Sequence, residues 1–238
     1  MTSVKRYAVY FTPPEKHPLT QAAQAWLGRS AFGNDVADLP AAMATDEQRS
    51  WTASPRRYGF HATMKPPFRL ADGLDETLLL GAFERFCLQH SGSGPVQLKI
   101  DRIGPFIALV AVQAVPGLNA LAGSSVEWFE PFRAPLSKAD IERRNPVRLT
   151  ERQRNYLMRW GYPYVFDEFR FHMTLTGPVE ADDRSSVQAA LEAHFAELIR
   201  EPVNIDSLAL FEETKPGGAF EVLAWGKLKG TEAGMMTA

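Results

Sequence analysis

The sequence predicts an α+β fold built twice from one plan, and three observations carry that expectation. Segments 57–68 (RYGFHATMKPPF) and 169–176 (FRFHMTLT) alternate strictly between polar and apolar residues and share an H-x-T core. Each is followed by a helical apolar stripe, a Pro-Val step and a pair of strands. His61 and His172 lie 111 residues apart, and Pro95-Val96 and Pro202-Val203 lie 107 apart. A near-constant offset of this kind marks an internal duplication.

Taken in order, residues 6–11 (RYAVYF) read as a buried strand. LTQAAQAWLGR then sets Leu19, Ala22, Ala23, Trp26 and Leu27 at helical spacing. Residues 30–55 lack periodicity and read as a long loop or irregular insertion. Neighbouring side chains of a strand point to opposite faces. In 57–68, Arg57, Gly59, His61, Thr63 and Lys65 therefore share one face, and Tyr58, Phe60, Ala62 and Met64 the other. Pro66 and Pro67 are expected to end the strand, since proline donates nothing to the ladder. Asp75 caps a helix carrying Leu79, Phe83, Phe86 and Cys87 on one stripe. Gly92, Gly94 and Pro95 break it, and VQLKI and FIALVAV form strands around a turn at Gly104-Pro105.

The second half follows the same order. Arg170, His172, Thr174 and Thr176 share a face, with Phe169, Phe171, Met173 and Leu175 opposite, and Gly177-Pro178 ends the strand. A helix begins near Asp183 with Val187, Ala190, Leu191, Phe195, Leu198 and Ile199 as its stripe. Glu201-Pro202 stops it, and VNIDSLALF and AFEVLAWGKL follow as strands. Between the halves, residues 133–159 carry eight basic side chains against three acidic ones, a run whose commonest form is a solvated helix face. Thr150 and Gln153 form a capping-box pattern, and Gly161 and Pro163 a stop, so 151–160 is expected to be helical. Residues 1–230 are expected to form a single domain with its two halves interleaved, and 231–238 a frayed tail.

Composition narrows the function classes. A chain of 238 residues with 45% hydrophobic and 23% charged residues is ordinary for a globular protein, and a net charge of −2 advertises no nucleic-acid or membrane partner. The single cysteine, Cys87, excludes an internal disulfide and any multi-cysteine metal site, which fits a reducing, cytoplasmic setting. The apolar run from Tyr7 to Phe11 is too short for a signal peptide or a membrane span.

The polar faces carry the chemistry. Two H-x-T strands brought together across a pseudo-twofold axis place two imidazoles and two hydroxyls on one concave surface. Histidine titrates near neutral pH, so a pair supplies a general base and a general acid. Cleaving a phosphodiester needs that pair, one to activate the incoming oxygen and one to protonate the departing oxygen. Fixed donors then stabilise the charge gathering on the phosphoryl oxygens. Thr63 and Thr174 point the same way as their histidines, and Lys65, Arg57, Arg170 and Thr176 lie on the same faces as candidate phosphate ligands. His90 and His194, on or beside apolar stripes, and His17, in a Pro-rich loop, read as structural. Tyr58, Phe60, Phe169 and Phe171 read as core.

HATM at 61–64 and HMTL at 172–175 resemble the paired motifs of the two-histidine (2H) phosphoesterase superfamily, which includes RNA ligase-like 2′,3′-cyclic phosphodiesterases. The longer runs RYGFHATMKPPFRLA and FRFHMTLTGPV are similar to the phosphonate-metabolism proteins placed in that superfamily, and the likeness covers most of residues 4–228. The resemblance implies two pseudo-symmetric α+β lobes, each an antiparallel sheet with helices outside, flanking a central groove. It implies that His61, Thr63, His172 and Thr174 are the catalytic positions, with no metal or other cofactor required. The function it implies is hydrolysis of a cyclic or bridged phosphodiester.

Three readings compete. A metal hydrolase would use the two histidines with Asp167 or Glu168, but compact spacings such as H-x-x-x-H are absent. A non-catalytic nucleotide-binding module would have no use for an acid/base pair. Among enzymes, the substrate is either a small sugar phosphate or an RNA end. The acidic stretch 180–213, with nine carboxylates against Arg184 and Arg200, favours the small substrate if it borders the groove.

Overall fold

In a computed structural model of the chain, residues 5–33 and 46–230 are described. The elements run β1 (Arg6–Phe11), α1 (Pro18–Leu27), α2 (Asp46–Arg56), β2 (Ala62–Phe68), α3 (Glu76–Gln89), β3 (Gly94–Val96), β4 (Leu98–Ile103), β5 (Phe106–Ala111) and α4 (Pro116–Phe129). They continue with α5 (Lys138–Arg143), α6 (Glu151–Trp160), β6 (His172–Thr174), α7 (Arg184–Phe195), β7 (Val203–Ile205), β8 (Ser207–Glu213) and β9 (Glu221–Lys227). The class is α+β, and every strand pair is antiparallel.

The duplication in sequence becomes an exchange in space. Each half supplies an H-x-T strand, a helix, a short Pro-Val strand and a strand pair. The first H-x-T strand, β2, lies in the sheet β2-β1-β8-β9, whose strand pair comes from the second half. The second, β6, lies in the sheet β4-β5-β6, whose strand pair comes from the first half. The Pro-Val strands join each other, with Pro95 opposite Asn204 and Val96 opposite Val203. One apolar cluster runs through both halves, joining Phe11, Phe83, Phe86, Phe129, Phe195 and Leu210 among others. A smaller cluster of Ala8, Tyr10, Ala209, Phe211 and Phe220 covers the other face of β1 and β8.

The capping signals hold to the residue. Thr150 and Gln153 form a reciprocal capping box at the start of α6, and Gly161 ends it in the left-handed region. The Asp75 carboxylate accepts from Leu78 N at the start of α3. Other expectations need correction. Residues 46–56 are helical rather than loop. The side chains that α2 buries include Gln48 and Thr52, so no apolar stripe announces it; Gln48 Nε2 instead donates to the Trp26 carbonyl and Thr52 to the Gln48 carbonyl. The rest of the expected loop, 34–45, and the tail from Thr231 lie outside the described residues. Pro66 and Pro67 do not end β2, which continues to pair at Phe68 with Tyr7. They are tolerated because β2 is an edge strand, hydrogen-bonded to β1 alone. α4 is missing from the sequence expectation although Leu118, Leu121, Ala122, Val126 and Phe129 form a helical stripe behind Pro116.

α3 approaches β9 closely at Gly226, where an added Cβ would lie 2.7 Å from Cys87 Sγ and 3.3 Å from the Phe83 ring. Overpacking of a filled core costs about 1–3 kcal/mol. Gly226→Ala is expected to lower the unfolding free energy read from urea titration by that amount with the slope unchanged, whereas Gly73→Ala, whose Cβ would meet nothing, reports only its left-handed backbone.

Candidate active site

Both histidines border one cavity of about 860 Å³, lined also by Thr63, Thr174, Tyr10, Tyr58, Phe106 and Tyr162. A second chamber of about 500 Å³ shares Thr63, Phe106, Tyr162, His172 and Thr174 with it and continues between Val126, Tyr164, Phe166 and Phe169.

The two imidazoles are held alike. Gly59 turns the chain with φ 74° immediately before β2, where any Cβ would lie 2.6 Å from that of Ala31, so only glycine fits. Its carbonyl, thus placed, bonds His61 Nδ1 at 2.9 Å. His172 Nδ1 meets the Arg170 carbonyl, again two residues upstream, at 2.7 Å. A carbonyl oxygen only accepts, so Nδ1 carries the hydrogen in both rings and Nε2 keeps the lone pair of the neutral form. Tyr10 stacks on His61 with centroids 3.9 Å apart, and Phe106 lies 5.8 Å from His172. Alternation sends Phe60, Ala62 and Met64, and Phe171, Met173 and Leu175, into the core. The half-buried Thr63 and Thr174 hydroxyls are left on the cavity, and among the described residues neither has a protein partner.

Burial is the main cause that pushes His61 down to about 4; the Gly59 bond opposes it and the neighbouring His172 adds to it. Burial also lowers His172, opposed by its bond to the Arg170 carbonyl and assisted by the Arg170 guanidinium. At neutral pH the empty site therefore holds two neutral imidazoles.

Of the four candidate phosphate ligands, two are misplaced by the face argument. Lys65 is fully buried, its ammonium bonded to Glu130 and to the Val126 carbonyl. α4 packs over this end of β2, and the pairing with β1 slips between Thr63 and Lys65, so Lys65 does not line the cavity as Thr63 does. Thr176 borders the cavity but is fully buried; its hydroxyl accepts from Ile107 N and donates to the Gly177 carbonyl, leaving no donor for a phosphate oxygen. Arg57 lines the cavity, but from the turn after α2 rather than from a strand, and it bonds Glu213 and the Gly218 carbonyl. Arg170 is exposed beside His172 in the second chamber. Asp167, a ligand in the metal alternative, is bonded to Arg152 and Tyr156, and Glu168 to Gln153. His17 accepts from Leu19 N at the start of α1, His90 bonds the Phe86 carbonyl, and His194 bonds the Ala22 carbonyl. Tyr58 and Phe169, expected in the core, pack against its clusters half-buried and also line the two chambers. None of the nine carboxylates of 180–213 lines the cavity, so that segment does not argue for a small substrate.

Sequence reasoning missed Arg6, Arg69, Arg143 and Arg144, which line the large cavity with Arg57. The signal was present for two of them. Arg143 and Arg144 belong to the basic connector, which is not merely a solvated face but a wall of the groove.

A family model described as "Protein of unknown function (DUF1045)" matches residues 63–221, from the first threonine of the site to the start of β9. The chain belongs to this family. Two curated relatives bear the name ribose 1,5-bisphosphate phosphokinase PhnN. The one from Janthinobacterium sp. (strain Marseille) is 36% identical over 228 residues, covering 92% of this chain and 49% of the relative. The one from Laribacter hongkongensis (strain HLHK9) is 35% identical over 225 residues, covering 92% and 52%. The DUF1045 chain thus spans about half the length of these relatives. Among solved structures, Escherichia coli LigT complexed with NADP+ aligns over 95% of this chain and 98% of its own, at 12% identity and a TM-score of 0.43. Among the described residues no helix is long and apolar enough to cross a membrane, and no three His, Cys, Asp or Glu side chains form a metal-binding group.

The low histidine pKa values tie the site to stability. An exposed imidazole titrates near about 6.5, so as pH falls from there towards 4 the unfolded chain takes up protons that His61 in the folded chain refuses. Stability is therefore fully present above about pH 6.5 and falls as pH is lowered through this window. His61→Asn should flatten that fall in thermal melts between pH 7 and 4.5, the carboxylates cancelling in the comparison with wild type. Parallel curves for the two proteins would contradict the assigned burial.

Proposed function

We propose that this protein is a phosphoesterase of the two-histidine type, hydrolysing a cyclic or bridged phosphodiester of a small sugar phosphate or nucleotide with protein side chains in place of a metal. The observation that carries the reading is the matched pair of imidazoles on one cavity, each locked at Nδ1 and, among the described residues, with Nε2 unbonded and an unpartnered threonine hydroxyl two residues on.

The chemistry follows from that arrangement. One neutral Nε2 takes a proton from water as its oxygen attacks phosphorus. The other ring, protonated, gives its proton to the ester oxygen as the P–O bond breaks, so one water is consumed and the site regains its proton count over a turnover. Both rings are neutral in the empty site, so the acid is charged only when the substrate arrives. An anionic phosphodiester beside an imidazole favours the imidazolium, opposing the burial that lowered its pKa. Thr63 and Thr174 donate to the phosphoryl oxygens, and Arg170 adds charge on the His172 side.

The names of the relatives suggest a phosphorylated sugar and, taken literally, a kinase. The 238 residues contain no G-x-x-x-x-G-K-[ST] loop, the common device for cradling a nucleoside triphosphate, and a histidine pair is no part of that device. The phosphoesterase reading, in phosphonate metabolism as the sequence resemblance suggests, accounts for both motifs.

The test is a panel of ribose cyclic phosphates and a short RNA ending in a 2′,3′-cyclic phosphate, with and without EDTA. Turnover is expected to persist under chelation. His61→Ala and His172→Ala should each lose roughly 10²–10⁴-fold in kcat, with the double variant little worse than either single one. Near wild-type turnover in either single variant would end the assignment, and EDTA-sensitive activity restored by zinc would transfer it to a metal hydrolase.

A further inference from the structure

The arginines missed in the sequence are not scattered over the groove. Arg6 and Arg57 both bond Glu213, whose carboxylate is fully buried beneath them. Arg69 and Arg143 both bond Asp140, at 3.0 and 2.9 Å. Asp140 is itself fixed by the capping box that starts α5, taking bonds from Ser137 N and Oγ. Arg144 lies 4.6 Å over the Tyr162 ring and among the described residues has no carboxylate partner. All five line the cavity that holds the histidines. Arg6, Arg69, Arg143 and Arg144 also line a small adjoining recess of about 30 Å³, which neither histidine borders.

A carboxylate shared between two guanidiniums holds both in place while using only part of their five donors each. Such clamps preorganise cations for a further anion while neutralising only half of their charge. Five guanidiniums and two carboxylates leave three positive charges. That balances a ligand carrying one phosphodiester, at −1, and one phosphomonoester, close to −2 at neutral pH. A polynucleotide would instead present single charges in series and would want a continuous basic track, whereas four of these arginines gather at one adjoining recess.

We infer that the Arg69–Arg143–Arg144 end of the groove is a phosphomonoester subsite, so that the substrate is a small sugar bearing a terminal phosphate in addition to the ester at the histidine pair. This rests on the phosphoesterase reading for the role of the histidines, but the subsite itself is defined by the arginines. Tyr162, under Arg144 and shared by both chambers, ties the two ends of the ligand to one wall.

The experiment separates the two claims. Binding of ribose 5-phosphate and of ribose is measured by calorimetry on the full chain, on His61→Ala/His172→Ala, and on Arg144→Gln and Arg144→Lys, with thermal melts to confirm folding. Ribose 5-phosphate is expected to bind and ribose not. Arg144→Gln should weaken binding at least 10-fold, Arg144→Lys less, and the histidine double variant little. In the kinetic arm, a ribose cyclic phosphodiester with a 5-phosphate should be hydrolysed with at least 10-fold higher kcat/KM than the same ester without it, and that preference should vanish in Arg144→Gln. Arg144-dependent binding without turnover of either ester would remove the hydrolase reading and keep the subsite. Equal turnover of both esters, unchanged by Arg144→Gln, would remove the subsite and keep the hydrolase reading. A preference for the RNA oligomer over both would overturn the small-substrate inference.

Discussion

The site depends on a strand exchange. Each H-x-T strand completes the sheet whose strand pair belongs to the other half, β2 in the sheet with β8 and β9, and β6 against β5. Neither half can build its sheet from its own residues, so the two histidines come together as soon as both sheets are complete. The mutual pairing of β3 and β7 adds a further join between the halves. Folding is thereby coupled to assembling the site, at the cost of many contacts between residues distant in sequence. Such non-local pairing slows folding and favours a cooperative structure once formed.

Local geometry then does what topology alone cannot. The glycine turn at 59 and the short strand at 172 each put a carbonyl two residues upstream of a histidine, and that carbonyl sets the tautomer. Burial lowers both pKa values, so both rings are uncharged at neutral pH. The two chambers that share His172 differ in chemistry: Tyr164, Phe166 and Phe169 line one, and the arginines clamped on Glu213 and Asp140 line the other.

Much of this was legible because period-2 alternation and capping chemistry are local. The H-x-T strands, the caps at Asp75 and Thr150, and the burial of Phe60, Met64, Phe171 and Met173 need only near neighbours. What escaped depends on tertiary partners. Lys65 has the right parity for the groove face, but α4 and Glu130 cover it, and no local pattern says that a helix will lie there. Thr176 shares the parity of Thr174, yet its hydroxyl is engaged by Ile107 N at the start of β5 and by the Gly177 carbonyl. α2 is hidden because it buries amide and hydroxyl groups that bond to carbonyls, a pattern indistinguishable from loop composition. Arg143 and Arg144 were visible as charge, but which way a basic helix end faces is decided by Asp140 and Tyr162.

The central claim is that two neutral, identically oriented imidazoles share one groove as an acid/base pair. Long-range ¹H–¹⁵N correlation spectra of the uniformly ¹⁵N-labelled protein at pH 7, assigned with the two single histidine variants, read the tautomer of each ring directly. The account predicts the Nδ1–H form for both His61 and His172, with protonation at Nε2 appearing in one ring when inorganic phosphate or a cyclic phosphate is added. An Nε2–H tautomer in either ring, or an imidazolium already present in the empty protein at pH 7, would contradict it.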